Sequence, residues 1–289
     1  MLRDPPEERS LESLVEFGVI NLDKPPGPSA HQVSAWVRDM LGVEKAAHAG
    51  TLDPKVTGCL PLLTGTATRL APVFLEGTKE YVAVLELHGP APTDIESVVS
   101  QFEDDLYQKP PRKSAVSRRL RVRRIHKLEL REVSERKALL NIRCESGTYI
   151  RKLCHDIGLA LGTGAHMGHL RRIGTDPFDD SSLCSLYDMS DAIAFADEGD
   201  EEPLREILEP GERALAHLPR VVVAPSAARE IAHGAQVYAP GVISAEGDLE
   251  EEPLVACYTP NGSVVCLGNL VGDPEADSGR VVALSRVLV

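Results

Sequence analysis

The sequence predicts an α+β protein whose last quarter is a small β-rich domain of about 70 residues. Three observations predict it. Two segments carry apolar residues at helical spacing, open on a capping residue and close on a glycine, Ser29–Gly42 and the stretch ending at Gly162. Strand-like runs rich in Val, Leu and Tyr lie around them. From about residue 218, short strand-like runs are separated by Pro-Asn-Gly and Gly turn signals. At 289 residues and 43% hydrophobic content, the chain can bury one large core or two ordinary ones.

Taken in order, "FGVINLDKPPGPSAHQVSAWVRDMLG" reads as a strand (Gly18–Leu22), a Pro-Pro-Gly turn and a helix capped by Ser29. Val33, Trp36, Val37, Met40 and Leu41 form its expected buried stripe. "AHAGTLDPKVTGCLPLLTGTATRL" (47–70) is too rich in Gly, Thr and Pro for an uninterrupted helix and reads as a loop leading into "CLPLL". "KEYVAVLELHG" (79–89) is a strand, and "SRRLRVRRIHKLEL" alternates well enough to be another. "ALLNIRCESGTYIRKLCHDIGLALGTG" reads as strand, turn and helix. Ser146 or Thr148 is its expected cap, and Ile150, Leu153, Cys154, Ile157 and Leu161 its stripe. Tyr149 and Arg151 then fall in the first helical turn, off that stripe. The acidic stretch from about Asp197 to Pro219 marks a boundary, so the expected parts are an N-terminal extension (1–17), a main domain (18–216) and the small β-rich domain (217–289).

Composition excludes several function classes. No apolar run approaches the ~18 residues of a membrane helix, and "MLRDPPEERS" lacks the basic-then-apolar character of a secretory signal, so the expected location is cytoplasmic. The six cysteines form no C-x-x-C pair, which argues against a disulfide framework or a structural zinc site. His166 and His169 lack neighbouring ligands at metal spacing and are read as non-metal. No Gly-Lys-Ser/Thr phosphate loop and no G-x-S-x-G elbow is present.

A net charge of −13 argues at first against nucleic acid, yet the charge is unevenly placed. From Lys109 to Lys127, nine of nineteen residues are Lys or Arg and none is acidic, whereas "DEGDEEP" (197–203) and "AEGDLEEEP" (245–253) gather acid in blocks. A basic strip on an acidic body suits a polyanionic ligand in a saline cytoplasm.

Asp53 is the single carboxylate of the 47–70 stretch and is followed at once by proline. An Asp before Pro in such a loop commonly caps a turn. The order of motifs points elsewhere. "GVINLDKPPGPSAHQV", "HAGTLDPKVTGCLPLLTGTATRL", "KEYVAVLELHG" and "CESGTYIRKLCHDIGLALGTGAHMGHLRR" together resemble the TruB family of pseudouridine synthases over about residues 18–190. "QKPPRKSAVSRRLRVRRI" and "LPRVVVAPSAAREIAHGAQVYAPGV" are similar to the archaeal dyskerin-type branch, the catalytic subunits of H/ACA guide-RNA particles.

The resemblance implies a mixed, mainly antiparallel sheet flanked by helices, followed by a β-barrel-like PUA domain. It implies a reaction in which uracil is detached at N1, turned while bound and rejoined to ribose through C5, with no cofactor and no metal. Asp53 would be the catalytic carboxylate, attacking C6 or C1′ or removing the C2′ proton, with Arg151 as the cation that keeps it ionised. Tyr81 would stack on the flipped base and assist proton removal at C5. Substrate-pocket positions carried over are His48, Tyr149, Leu170 and Lys24, with Lys24 and Pro25 bracing the catalytic loop. Gly50 and Gly58 would let backbone approach an extruded nucleotide.

The segment between the Tyr81 strand and the basic strip is short, without the insertion with which bacterial relatives grip a tRNA T-loop. The implied partners are therefore a guide RNA, substrate rRNA or tRNA, and the H/ACA core proteins: a Nop-type zinc ribbon, a Gar-type protein and a kink-turn-binding protein. A stand-alone tRNA enzyme and a non-catalytic RNA scaffold are the competing readings. The N-terminal extension is expected to pack along the PUA domain.

Overall fold

In the computed structural model, the described residues are 2–75, 77–110, 117, 119–248 and 254–289. Much of the expected basic strip between residues 111 and 118 therefore lies outside them.

The chain begins with α1 (Leu11–Glu16), β1 (Gly18–Lys24), α2 (Ala30–Leu41), β2 (Ala46–His48) and β3 (Thr57–Thr64). A run of 3-10 turns, Gly65–Leu75, leads to β4 (Lys79–Leu87), α3 (Ile95–Ser100), β5 (Asp105–Gln108), β6 (Arg121–Val133) and β7 (Lys137–Cys144). Then come α4 (Ile150–Ala160), β8 (Ala165–Thr175), β9 (Phe178–Asp179), α5 (Leu186–Asp197), α6 (Glu202–Ile207) and β10 (Leu208–Pro210). The last part holds β11 (Arg220–Val223), α7 (Pro225–Ala232), β12 (Val237–Tyr238), β13 (Val242–Glu246), β14 (Leu254–Tyr258), β15 (Val264–Leu270) and β16 (Arg280–Val287).

Two sheets organise these elements. The larger runs β10-β1-β3-β8-β4-β7-β6-β5, with β2 on β3 and β9 on β8. Its pairings are antiparallel except β3 with β8, where Thr57 and Gly58 face Arg171 and Arg172 in parallel. The smaller sheet runs β12-β16-β15-β14-β11-β13 and forms the β-rich unit expected in the last quarter of the sequence. Both agree with the expected class. Among the described residues, no helix is long and apolar enough to cross a membrane.

β4 alternates buried and half-buried along its length, as a strand with one face on a core should. α4 buries Ile150, Leu153, Cys154 and Ile157 against the same core. α2 opens with a capping box between Ser29 and Gln32 and ends on Gly42 at φ 65°, the left-handed conformation that glycine adopts without penalty. Trp36 departs from its expected place in the buried stripe, being 44% exposed. The buried positions are Ala30, Val33, Ser34 and Val37, and at about 100° per residue Trp36 points more than roughly 90° away from their mean direction.

The N-terminal segment straps the two sheets together. Arg9 makes two hydrogen bonds to the Glu212 carboxylate, at 2.8 and 2.7 Å, while Glu212 also accepts from the Val264 backbone N–H at 3.1 Å. Ser263 Oγ donates toward the carbonyls of Arg3 and Asp4, and the Arg3 guanidinium lies 3.8 Å from the Phe17 ring centroid.

Candidate active site

Asp53 sits in the loop between β2 and β3, with its side chain 48% exposed. Its backbone carbonyl accepts from Val56 N–H at 2.9 Å, which makes the turn expected of an Asp-Pro sequence. The carboxylate does not cap that turn. Oδ2 accepts instead from Arg151 Nη2 at 2.6 Å, across 98 residues of sequence. Arg151 is the second residue of α4, so the pair ties the loop to the start of that helix.

The cap of α4 differs from the expectation. Neither Ser146 nor Thr148 caps it; the N-cap is Tyr149, without a side-chain cap bond, and Thr148 Oγ1 turns back to Glu145 O at 2.7 Å. Gln108 takes over. Its buried side-chain amide accepts from Tyr149 N–H at 2.8 Å and donates to Tyr149 O at 3.3 Å, tying the end of β5 to the helix start. Nothing in the sequence around Gln108 signals this clamp, because its partner is a backbone group 41 residues away.

Lys24 requires a correction as a substrate-binding residue. It is fully buried, and its ammonium donates to three carbonyls, Pro25 at 2.9 Å, Pro54 at 3.0 Å and Val56 at 2.9 Å. Three donors on three acceptors leave none for a ligand. Lys24 is the brace of the Asp53 loop, tying the residues that follow the carboxylate, Pro54 and Val56, to Pro25. Burial lowers its pKa, opposed by the Asp53 charge.

Tyr81 lies on β4, 9% exposed, opposite Ile142 of β7 and Arg172 of β8. Burial raises its phenol pKa, opposed by Arg172. Leu170 pairs with Ala83, and pairing across β4 and β8 puts Leu170 and Arg172 on the same face as Tyr81. His48 ends β2, with Nε2 3.0 Å from Nδ1 of His31 and the two ring centroids 4.8 Å apart. Burial first, then His31 and Arg172, lower the His48 pKa, which favours the neutral ring. His31, on the exposed first turn of α2, is a site neighbour that the sequence reading did not single out.

Arg172 is the larger omission. It is 1% exposed, donates from Nε to Cys59 O at 2.7 Å and from Nη2 to Gly50 O at 3.4 Å, and lies against the Tyr81 phenol. It therefore links the Asp53 loop, β3 and β4. It also explains the two glycines assigned to nucleotide approach. A Cβ on Gly58 would stand 2.1 Å from Arg172 O, and one on Gly50 would stand 3.4 Å from Arg172 Nη1. Both glycines have positive φ, 101° at Gly50 and 97° at Gly58. Gly58 is thus required by the close approach of β8.

The arrangement is a half-exposed carboxylate held by one guanidinium, on a loop braced by a buried lysine and by a buried arginine that ties it to the Tyr81 ring on β4. Among the described residues, no group of three or more His, Cys, Asp or Glu side chains could hold a metal ion.

Comparison with known proteins identifies the scaffold. The N-terminal domain model of TruB family pseudouridylate synthases matches residues 38–94, and the tRNA pseudouridylate synthase B C-terminal domain matches 151–216. A DKCLD (NUC011) domain matches 4–34 and a PUA domain 219–287. A probable tRNA pseudouridine synthase B from Haloarcula marismortui is 65% identical, covering 100% of this chain and 94% of the relative. The chain belongs to the TruB family of pseudouridine synthases. A family member from Methanopyrus kandleri, also described as a probable tRNA pseudouridine synthase B, is 46% identical over 99% of this chain and 86% of its own. Among solved structures, the Cbf5 chain of a Cbf5-Nop10-Gar1 complex matches with TM-score 0.94 and 43% identity, covering 100% of this chain and 90% of that one. A chain of an H/ACA RNP bound to a substrate RNA containing 2′-deoxyuridine matches at TM-score 0.92 and 41% identity, with 100% and 90% coverage. The family's activity makes this protein an RNA pseudouridine synthase, an isomerase.

Proposed function

We propose that the protein converts chosen uridines, mainly of rRNA, to pseudouridine as the catalytic subunit of an H/ACA guide-RNA particle, with Asp53 as its catalytic carboxylate. The observation that carries the chemistry is the Asp53–Arg151 pair. A carboxylate half open to solvent and held through one oxygen at 2.6 Å by a guanidinium is ready to act with its other oxygen. As nucleophile it would attack C6 or C1′; as base it would remove the C2′ proton. In each case N1–C1′ breaks, C5–C1′ forms, the C5 proton leaves and N1 gains one. Tyr81 and Leu170 supply the apolar face for the turned base, with His48 and Tyr149 at its rim.

Delegated target choice is supported by the full-length likeness to Cbf5 in complexes with Nop10, Gar1 and RNA. The β5–β6 ribbon agrees with a polyanion contact: Tyr107 is exposed opposite Val122, Arg124 lies on the same face, and Arg121 and Arg123 lie on the other. In this reading residues 18–216 perform the chemistry, 217–289 hold the guide, and 1–17 strap the two. The partners are the guide RNA, its target, and Nop-type, Gar-type and kink-turn-binding proteins. A second reading, a stand-alone tRNA enzyme, is favoured by the names of the relatives.

Tritium release from C5-labelled uridine, in an rRNA fragment and a tRNA T-loop transcript at high KCl, tests both readings. Release that needs the guide and partner proteins and vanishes in Asp53→Asn is expected. Release from tRNA by the protein alone favours the second reading; unchanged release by Asp53→Asn removes Asp53 from the mechanism.

A further inference from the structure

Arg172 has a feature that scaffolding does not require. A guanidinium 1% exposed is costly to desolvate and is ordinarily matched by a carboxylate. Its guanidinium donates to neutral carbonyls, Cys59 O at 2.7 Å and Gly50 O at 3.4 Å, and lies against the Tyr81 phenol; among the described residues it has no carboxylate partner. The adjacent arginine is different: Arg171 makes a two-point pair with Asp23, both contacts 2.9 Å. One sequence step thus separates a neutralised arginine from an unneutralised one, and the unneutralised one is on the Tyr81 side of β8.

Its field reaches the neighbours. The positive charge favours the anionic forms of Tyr81 and Cys59, against the burial that opposes them, and it disfavours protonation of Lys79 and His48. Of these groups, Cys59 is buried within β3, while Tyr81 lies on the face proposed for the turned base.

We propose that Arg172 is a positioning residue for the isomerisation: it clamps the Tyr81 ring against the loop that carries Asp53 and keeps an unneutralised positive charge beside the phenol oxygen, where the C5 proton is received. The proposal rests on the reading of Asp53 and Tyr81 given above. The step balances as follows. The phenol first loses its proton to solvent. Once C5–C1′ has formed, the phenolate oxygen takes the C5 proton; an O–H bond forms, C5–H breaks, its electron pair restores the C5–C6 double bond, and the C6–N1 π pair moves to N1, which takes a proton from solvent (where Asp53 has added at C6, the C6–O bond breaks instead and returns the carboxylate). The proton passes to solvent with the product. Arg172 neither gains nor loses a proton; it stabilises the phenolate.

Arg172→Gln and Arg172→Lys test it in the assembled particle, by single-turnover conversion of uridine carrying hydrogen or deuterium at C5. Arg172→Gln is expected to slow conversion by about 30-fold or more, to move the rise of rate with pH upward, and to reveal a C5 isotope effect larger than that of the wild type. Replacing Tyr81 by 3,5-difluorotyrosine, whose phenol ionises more readily, is expected to restore about 10-fold of the Gln variant's loss. A loss with no pH displacement, no isotope effect and no fluorotyrosine rescue would overturn the proposal and leave Arg172 a scaffold. Should Arg172→Gln fail to fold, Arg172→Lys carries the test, with a smaller upward displacement expected and an unmoved pH profile refuting. Asp53→Asn runs beside them: if it reacts like the wild type, the reading of the site fails; if it is inert while the Arg172 variants behave as wild type, this inference alone fails.

Discussion

Arg151 Nη2 stands 2.6 Å from Asp53 Oδ2, although 98 residues separate them in sequence. The pair joins the β2–β3 loop to the first turn of α4. With both side chains 48% exposed, its value for stability is small; under the proposed function its value lies in aiming the carboxylate.

Arg151→Met is therefore expected to leave the melting temperature nearly unchanged and to lower kcat by about 100-fold, with KM for guide-bound substrate within about 3-fold. Arg151→Lys keeps a charge without the planar fork and should fall between, near a 10-fold loss. Steady-state kinetics on the assembled particle separate these outcomes; a change confined to KM would assign Arg151 to substrate binding.

Lys24→Met removes the donor shared by Pro25, Pro54 and Val56 carbonyls. Unpaired buried carbonyls should lower stability by about 2–3 kcal/mol, read as a lower urea midpoint. Because the Asp53 loop loses its brace, kcat should also fall by roughly 10-fold. A normal midpoint with lost activity would mean that Lys24 acts on the substrate directly.

Lys79 gives the pH prediction. Burial, with Arg172 adding to it, pushes its pKa down to about 8, while its ammonium donates to Phe74 O at 2.9 Å and Gly77 O at 3.1 Å. Above about pH 8 the folded protein releases this proton before the unfolded chain does, so the unfolded state binds more protons and this group's contribution to stability rises with pH. Relative to Lys79→Met, the wild type should gain stability between about pH 8 and 10, at up to about 1.4 kcal/mol per pH unit. Urea unfolding of both proteins across that range measures it, and a constant difference would refute it.

With a net charge of −13, the protein should melt at lower temperature in dilute buffer, where carboxylates repel over the ~10 Å Debye length of 0.1 M salt. A rise on the order of 10 °C from low to molar KCl is expected. Melts that do not move would remove the link between the acidic surface and a saline environment.

What the sequence displayed depended on how far each signal reaches along the chain. The α2 boundaries were legible because Ser29, Gln32 and Gly42 act within one helical turn. Asp53, Tyr81 and Arg151 were legible as members of motifs. Trp36 was misplaced because a stripe written as a set of spacings tolerates a residue at its edge. Gln108 and Arg172 were not assigned because their hydrogen bonds go to backbone carbonyls and amides, 41 residues away for Gln108 and 113 for Arg172 with Cys59, and a backbone group leaves no mark in the sequence. The same holds for Gly58, whose need for hydrogen in place of a side chain is set by Arg172 O of β8, whereas Gly50 is required by its own positive φ of 101°.

The strap from Arg3 and Arg9 to Glu212, Ser263 and Val264 also fixes an order of events during synthesis. Residues 3–9 leave the ribosome long before their partners, since Arg9 needs Glu212 and the Arg3 and Asp4 carbonyls need Ser263. Arg69, in turn, donates to the carbonyl of Val287. The large sheet can assemble while translation continues, but the N-terminal strap closes only when the C-terminal sheet has been made. A nascent chain stalled before residue 263 would leave the Arg3–Asp4 segment unfastened, so this strap is among the late contacts of folding.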